Sequence, residues 1–486
     1  MGVAAQTACS SARAYQPREA ERSLVHRIVA RELDAFLADA AARGHPLPRF
    51  VESTMRDFLT CGLFEHGLVT LQCTDCGTRR AVAFSCKRRG VCSSCQGRRM
   101  SETAAHLADR VLPAVPIRQW VLSLPFPLRY RLAYDRELMT PILGAWARAL
   151  SASLRRRARA AFGVATAKCG AVTFVQRFGG ALNLNVHFHT LALDGVYEVL
   201  PGAAGIRFRA LPPPDTAEVL RVLSDTAARM LRALTKRGLG VDSAEEDPLA
   251  KRNPVLAAIY AAALQGRAAL GADAGRPLVR LGREGGATET GREETKSRCA
   301  VLGGFSLHAG VSVAGRDRAG LERLCRYMGR PALAAQRLEE LPDGRLLYRM
   351  RHRWRDGTSA LVLEPRELLA RLAAQVPPPG AHQVRYHGIL APGAMWRSYV
   401  VPPEQGTSGT DTACKSQPKS RVLPRRRIAW SDLLRRVFAI DALVCPACGG
   451  RMEMMGVVQA PGRNRGLVDG GTSRAPPVLH SAAVSA

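Results

Sequence analysis

The sequence predicts an α+β protein: an antiparallel sheet with packed helices, preceded by a helical segment and a four-cysteine zinc ribbon. Three observations carry this. Residues 171–178 and 181–193 are two strand-like runs joined by Gly179 and Gly180, a hairpin pattern. In the second run Leu182, Leu184, Val186 and Phe188 point one way and Asn183, Asn185, His187 and His189 the other, the two-residue period of a strand. Cys73, Cys76, Cys92 and Cys95 give C-x2-C, a 15-residue spacer and a second C-x2-C, a spacing that lets two knuckles bring four thiolates around one tetrahedral zinc.

The remaining elements follow from periodicity and breakers. Residues 22–42 read as a helix with Leu24, Ile28, Leu33, Phe36 and Leu37 as its apolar stripe, ended by Gly44, Pro46 and Pro48. A short helix is expected over 50–59 and another over 101–111, with a buried strand at Trp120–Leu124 stopped by Pro125 and Pro127. Thr140 and Pro141 read as N-cap and first residue of a helix running to Gly163. Residues 215–270 read as mostly helical, 271–298 as a polar loop, 304–313 as a strand and 317–329 as a helix. Residues 340–400 look β-rich, and a short helix at 430–439 leads into Cys445 and Cys448.

This divides the chain into an N-terminal helical segment (1–60), a zinc-binding domain (61–110) and a catalytic domain (111–345) with a helical insertion at about 205–300. A β-rich extension (346–401), a linker (402–429) and a C-terminal CxxC segment with a disordered tail (430–486) follow.

Charge narrows the partners. The 486 residues carry 70 Lys and Arg against 41 Asp and Glu, a net charge of +29. A chain this basic repels itself until it meets a polyanion, and nucleic acid is the commonest one. No apolar run is long enough to span a bilayer, and Met1 to Arg22 hold no signal-peptide core. Thirteen cysteines, an odd number with several CxxC pairs, argue for metal ligands and free thiols over a disulfide framework. A cytoplasmic location is expected.

The four-cysteine site has no open position, so its zinc is expected to be structural. Arg79, Arg80, Lys87, Arg88, Arg89, Arg98 and Arg99 surround it with no Asp or Glu between Gly77 and Arg99, a basic face suited to DNA. Cys61 and Cys86 are expected to be free thiols, and His66 is an alternative ligand. Cys445 and Cys448 could bind metal with Cys414 or His480, pair across a dimer, or have no role.

His187 and His189 sit on one strand face about 7 Å apart and could share a divalent ion. Zinc β-lactamase-like hydrolases need HxHxDH, but Thr190 and Leu191 follow here; histidine-triad hydrolases need a third His where Asn185 or Leu191 stands. If strand 304–313 pairs with the histidine strand, His308 could supply a third ligand; Gln176 competes for that place. Tyr327 lies on the flank of its helix stripe, near Arg323 and Arg330.

The run Thr60–Arg99, the motif NLNVHFHTLALDG, and GLERLCRYMGRP resemble, in that order, the zinc-binding domain, HUH motif and tyrosine motif of rolling-circle insertion-sequence transposases. WRDG at 354–357, VRYHGILAP at 384–392 and CPACGGRM at 445–452 are similar to the common-region (ISCR-like) branch of that family. The resemblance implies a ferredoxin-like HUH nuclease core, catalytic Mg²⁺ or Mn²⁺ on His187 and His189, and Tyr327 as nucleophile. Position 323 is Arg, so the chain resembles the single-tyrosine branch. It also implies action on single-stranded DNA at element ends, with bases stacked on aromatics such as Trp396 or Tyr386, and nucleoid association when bound. The absence of a GxxxxGK[ST] motif agrees with chemistry that needs no nucleotide. Two other functions remain open from the residues: a non-catalytic DNA-binding or replication regulator, and a metal phosphodiesterase that uses water.

Overall fold

The computed structural model describes residues 13–14, 18–200, 205–239, 247–282, 297–354, 356–401, 429–438 and 440–459. Residues 402–428 of the expected linker, the tail from 460, and with them Cys414 and His480, lie outside the described residues.

The Ser23 side chain caps the first long helix by accepting from the His26 amide. That helix, α1 (Leu24–Ala42), packs on α2 (Arg49–Leu59) through Ile28, Leu33, Phe36, Val51, Met55 and Phe58, all buried. Next come the ribbon strands β1 (Leu68–Cys73) and β2 (Arg79–Ala83), then α3 (Ser93–Arg110). The helix expected from residue 101 thus starts eight residues earlier, inside the second CxxC, because the Cys92 sulfur caps it by accepting from the Cys95 amide.

The central sheet uses β3 (Ile117–Ser123), β4 (Gly170–Phe178), β5 (Leu184–Leu193), β6 (Cys299–Leu302), β7 (Phe305–Val313) and β8 (Val384–Gly388). Its order is β6-β7-β3-β5-β4-β8, antiparallel at every pairing. β5 is therefore a central strand with both neighbours in place. Its even-numbered residues Val186 and Phe188 enter the larger core, which includes Trp120 and Trp146 of α5 (Arg136–Phe162). Its odd-numbered residues face the other side, where Leu191 and Leu193 pack with α3 and with α8 (Arg318–Gly329). Thr190, on the even face, is buried because Trp146 Nε1 donates to its hydroxyl at 2.8 Å and Thr173 bonds it at 2.9 Å.

Two expectations are corrected. Helix α5 begins at Arg136, not at Pro141, because the Asp135 carboxylate caps the Glu137 and Leu138 amides; Pro141 lies inside the helix. The stretch expected to be β-rich contains, besides three short strands, a buried helix, α9 (Pro365–Gln375).

Arg118 on β3 donates to both carboxylate oxygens of Asp194 (3.0 and 2.6 Å) and to the Ala309 carbonyl of β7 (2.9 Å), tying three strands at one end of the sheet. Both side chains are almost fully buried. Removing one partner leaves the other charge in a medium of low polarity. Asp194→Ala should therefore lower stability by about 3–5 kcal/mol in urea denaturation, well beyond what truncating an exposed pair such as Arg349–Glu339 does.

Candidate active site and metal centres

The cysteines do not assemble as their spacing suggested. Cys73 and Cys76 do not meet Cys92 and Cys95. Instead Cys61, Cys86, Cys92 and Cys95 form one cluster, and Cys73, Cys76, Cys445 and Cys448 another. In the first, Cys61 Sγ lies 3.6 Å from both Cys92 and Cys95, and Cys86 Sγ 3.6 Å from Cys95. A disulfide needs about 2.05 Å, whereas four sulfurs around zinc at about 2.3 Å stand roughly 3.8 Å apart. Cys61 and Cys86 are thus brought into a ligand set and are not isolated thiols. Hydrogen bonding to Cys61 holds the Cys95 thiol far down and pushes the Cys86 thiol far up: the four thiols titrate as one coupled set. His66 lies in a short turn and joins neither cluster.

The reason for the exchange is local. Cys73–Gly77 forms a tight knuckle in which Gly77 N–H donates to the Cys73 carbonyl (3.1 Å) at φ 72°. Cys92 caps, and Cys95 sits on the first turn of, a helix that enters the core, and both meet Cys61 just beyond the end of α2.

The histidines are buried, 8 and 4% exposed, so they do not lie on a solvated strand face. Their Nε2 atoms face each other at 3.0 Å. His187 Nδ1 lies 2.8 Å from the Asn185 carbonyl, which accepts only, so Nδ1 carries the hydrogen and Nε2 keeps its lone pair. His189 Nδ1 meets the Gln119 side-chain amide at 2.8 Å. Burial pushes both rings down, His187 to about 4 and His189 to about 2, and the cation of Arg330 pushes both the same way. Both are neutral at pH 7, the form that ligates metal.

His308 is not brought to this pair. Strand β7 pairs with β3, not β5, so His308 lies beside Val121, and Val121 beside His189. Two strand spacings, about 10 Å, separate the rows. Gln176 is closer: it stands directly opposite His187 on β4. Its Nε2 donates to the Met328 carbonyl of α8 at 2.6 Å, and its Oε1 is buried without a partner. Among the described residues no third His, Cys, Asp or Glu reaches the pair. The two imidazoles and this orphaned amide oxygen fit a small divalent cation.

Helix α8 is wedged between α3 and the sheet by Leu321, Cys325 and Met328. This leaves Tyr327 41% exposed, with its ring edge-on to His189 at 6.0 Å between centroids. The Arg330 guanidinium lies over the Tyr327 ring at 4.2 Å and near Phe178 at 5.2 Å. Arg129, whose cation also acts on His187, approaches from α4 (Phe126–Tyr134).

A cleft of about 1090 Å³ runs from the first cysteine cluster along α3 to Gln176 and Arg330. Lys87, Arg89, Arg98, Arg99 and Arg330 line it, and Glu102 is its one acidic lining residue. The cationic loop is docked by Gly90 (φ +93°), where a side chain would strike the Gln375 carbonyl at 2.8 Å. Of the remaining expected DNA contacts, Arg88 is taken up by Asp57 (2.5 Å), and Arg79, Arg80 and Arg323 do not line the cleft. Arg110, Arg177 and Arg385 line it and were not expected, nor were Gln119 and Arg129 beside the histidines. Tyr386 lines the cleft, while Trp396 packs against Tyr399. Extending the expected strand at Trp120–Leu124 one residue upstream would have placed Gln119 on the histidine face by parity alone.

Residues 170–397 match the family model of a putative transposase, and residues 28–124 match that of the transposase zinc-binding domain, IS91 type. The chain thus carries transposase domains. Together the two matches support an IS91-family transposase, a DNA-acting, zinc-binding protein of an insertion sequence. No curated protein and no solved structure matches the chain. No helix among the described residues is long and apolar enough to cross a membrane.

Because Cys61 and Cys86 belong to the first cluster, Cys86→Ser should release zinc from the purified protein and lower its melting temperature. A variant that keeps its full zinc content by metal analysis would return Cys86 to the status of a free thiol.

Proposed function

We propose that this protein nicks and rejoins single-stranded DNA at element ends through a transient 5′-phosphotyrosine on Tyr327, the chemistry of a single-tyrosine, rolling-circle HUH transposase with a ferredoxin-like core. The observation that carries this reading is the meeting, from two separate elements, of a buried bis-imidazole pair and an accessible tyrosine whose ring touches one of the imidazoles.

His187, His189 and the Oε1 of Gln176 would hold Mg²⁺ or Mn²⁺. When bound, such an ion polarises the scissile phosphate and offsets its growing negative charge. A tyrosine hydroxyl is a poor nucleophile at neutral pH without such help. Tyr327 Oη attacks the phosphorus, forming a P–O bond as the bond to the 3′ oxygen breaks. The tyrosine proton passes to solvent, to which the side chain is open, and the departing 3′ oxygen takes up a proton. Rejoining is the reverse attack by a 3′-hydroxyl on the phosphotyrosine, so bond energy is conserved. Arg330, whose guanidinium lies over the Tyr327 ring, would receive a non-bridging phosphate oxygen. Gln119 acts as a positioning residue: it fixes the orientation of the His189 ring from the Nδ1 side. The basic cleft supplies the path of the strand, its cations meeting successive phosphates.

The decisive test is incubation with single-stranded DNA bearing candidate ends, with Mg²⁺ or Mn²⁺, followed by a denaturing gel. A covalent adduct is expected, absent in Tyr327→Phe and in His187→Ala. Cleavage without adduct, surviving Tyr327→Phe, would establish a water-using phosphodiesterase instead; binding without cleavage would establish a DNA-binding regulator. Arg330→Ala should slow adduct formation by about 10²–10³-fold without weakening Mn²⁺ binding, since the cation it removes bears on both histidines.

The cleft has its own signature. Replacing Arg98 and Arg99 by Ala should weaken single-stranded DNA binding across all sequences. The slope of log affinity against log salt should fall by about 0.7 for each phosphate that is no longer neutralised. An unchanged slope would move the DNA path elsewhere.

A further inference from the structure

We propose that Cys73, Cys76, Cys445 and Cys448 bind a second structural zinc, which clamps the C-terminal segment onto the N-terminal ribbon. The matched zinc-binding region ends at residue 124, so half of this ligand set lies far outside it. The inference does not depend on the chemistry proposed above.

Three independent observations support it. The four sulfurs lie together, with Cys73–Cys448 at 3.5 Å and Cys76–Cys445 at 3.6 Å, near the edge of a zinc tetrathiolate and far from a disulfide. The two loops that carry them have the same backbone bonding. Gly77 N–H donates to the Cys73 carbonyl (3.1 Å) and Gly449 N–H to the Cys445 carbonyl (3.0 Å). Cys73 N–H donates to Thr78 (2.8 Å) and Cys445 N–H to Gly450 (2.7 Å). Both glycines have positive φ, 72° and 77°. These are two C-x2-C-G knuckles of one form, facing each other. Finally, β9 (Met452–Val458) adds to the edge of the ribbon beside β1, with Met452 opposite Cys73. Gly450 admits the close approach of Asp75, whose carboxylate would lie 2.2 Å from an added Cβ.

The clamp reaches the reacting helix. Between the two knuckles in sequence, α10 (Trp430–Phe438) places Arg436 against Asp109 of α3 and Glu322 of α8, each at 2.9 Å. A metal that fixes residues 445–458 on the ribbon therefore also holds α10 across the two helices that frame the cleft. The donor set of four thiolates, two buried and two exposed, and the closed geometry select zinc in a structural role.

Zinc should be counted by mass spectrometry on the purified full chain, with free thiols titrated in parallel. Two zinc ions per chain are expected. The pair Cys445→Ser/Cys448→Ser should hold one, and so should Cys61→Ser, which leaves the second cluster intact. With Co²⁺ in place of zinc, the thiolate-to-metal charge-transfer band of the full chain should fall by half in each variant. One zinc per full chain, or a Cys445→Ser/Cys448→Ser variant that keeps two, would overturn the proposal. Loss of free thiols with a single zinc would show a disulfide in its place. If the double variant does not fold, the count on the unaltered chain decides between one site and two.

Discussion

The site depends on the burial of two histidines on a strand that has neighbours on both sides. A solvated HxH strand would leave each imidazole to rotate and to titrate near neutrality. Here β5 is covered on one face by α5 and on the other by α3 and α8, so the rings are held neutral with their Nε2 atoms converging. Placing two polar rings in that environment is costly unless their ring nitrogens find partners. Asn185 and Gln119 supply partners at Nδ1, leaving the Nε2 side for a cation. The same α8 that buries the pair presents Tyr327, and Gln176 hydrogen-bonds to the last turn of that helix. The burial of the histidines and the exposure of Tyr327 therefore share one set of contacts.

Much of this was legible from the sequence because period and parity are local. The alternation through Leu182–Phe188 put His187 and His189 on one face, and the stripe of α8 put Tyr327 at its flank; neither inference needs the tertiary fold. Strand order does need it. The adjacency that would have made His308 a ligand required β7 to lie against β5, and nothing local in 304–313 reveals that β3 intervenes. The cysteine partners failed for a related reason. Ligand spacing along the chain is a good guide when both halves of a site are near in sequence, but each CxxC here takes its partners from elsewhere, in one cluster from 369 and 375 residues away. A local signal was present: glycine follows the second cysteine at 77 and at 449, while Gln96 follows Cys95. The two C-x2-C-G runs are turns that need positive φ, and C-S-S-C-Q opens a helix.

The charge excess is likewise redistributed by the fold. Counting cations around the ribbon treated Arg79, Arg88 and Arg99 alike. In three dimensions Arg88 is neutralised by Asp57, Arg79 stands apart, and Arg99 turns into the cleft beside Lys87, whose carbonyl it meets at 3.0 Å. What remains is a lining drawn from both the zinc-binding region and the transposase region, with one carboxylate. Such a surface repels itself until a polyanion fills it, so binding of a polyanion there and the mutual position of the two regions are thermodynamically linked: whatever tightens their docking lowers the cost of binding.

The choice of arginine at position 330 follows from the same economy of space. A lysine could bring a charge to the phosphate, but as a flexible point cation it would lose more freedom on being held in place. The planar guanidinium lies over the Tyr327 ring and near Phe178, and its Nη1 donates to the Tyr327 backbone carbonyl at 2.9 Å, so Tyr327 fixes its orientation through both ring and backbone. Burial lowers its proton affinity somewhat, yet an arginine stays charged where a lysine could not be relied on to do so. In the proposed mechanism Tyr327 would both attack the phosphate and orient the cation that receives it, linking the two roles in one side chain. Removing only the hydroxyl separates them: the ring and the arginine stay in place while the bond-forming oxygen is gone.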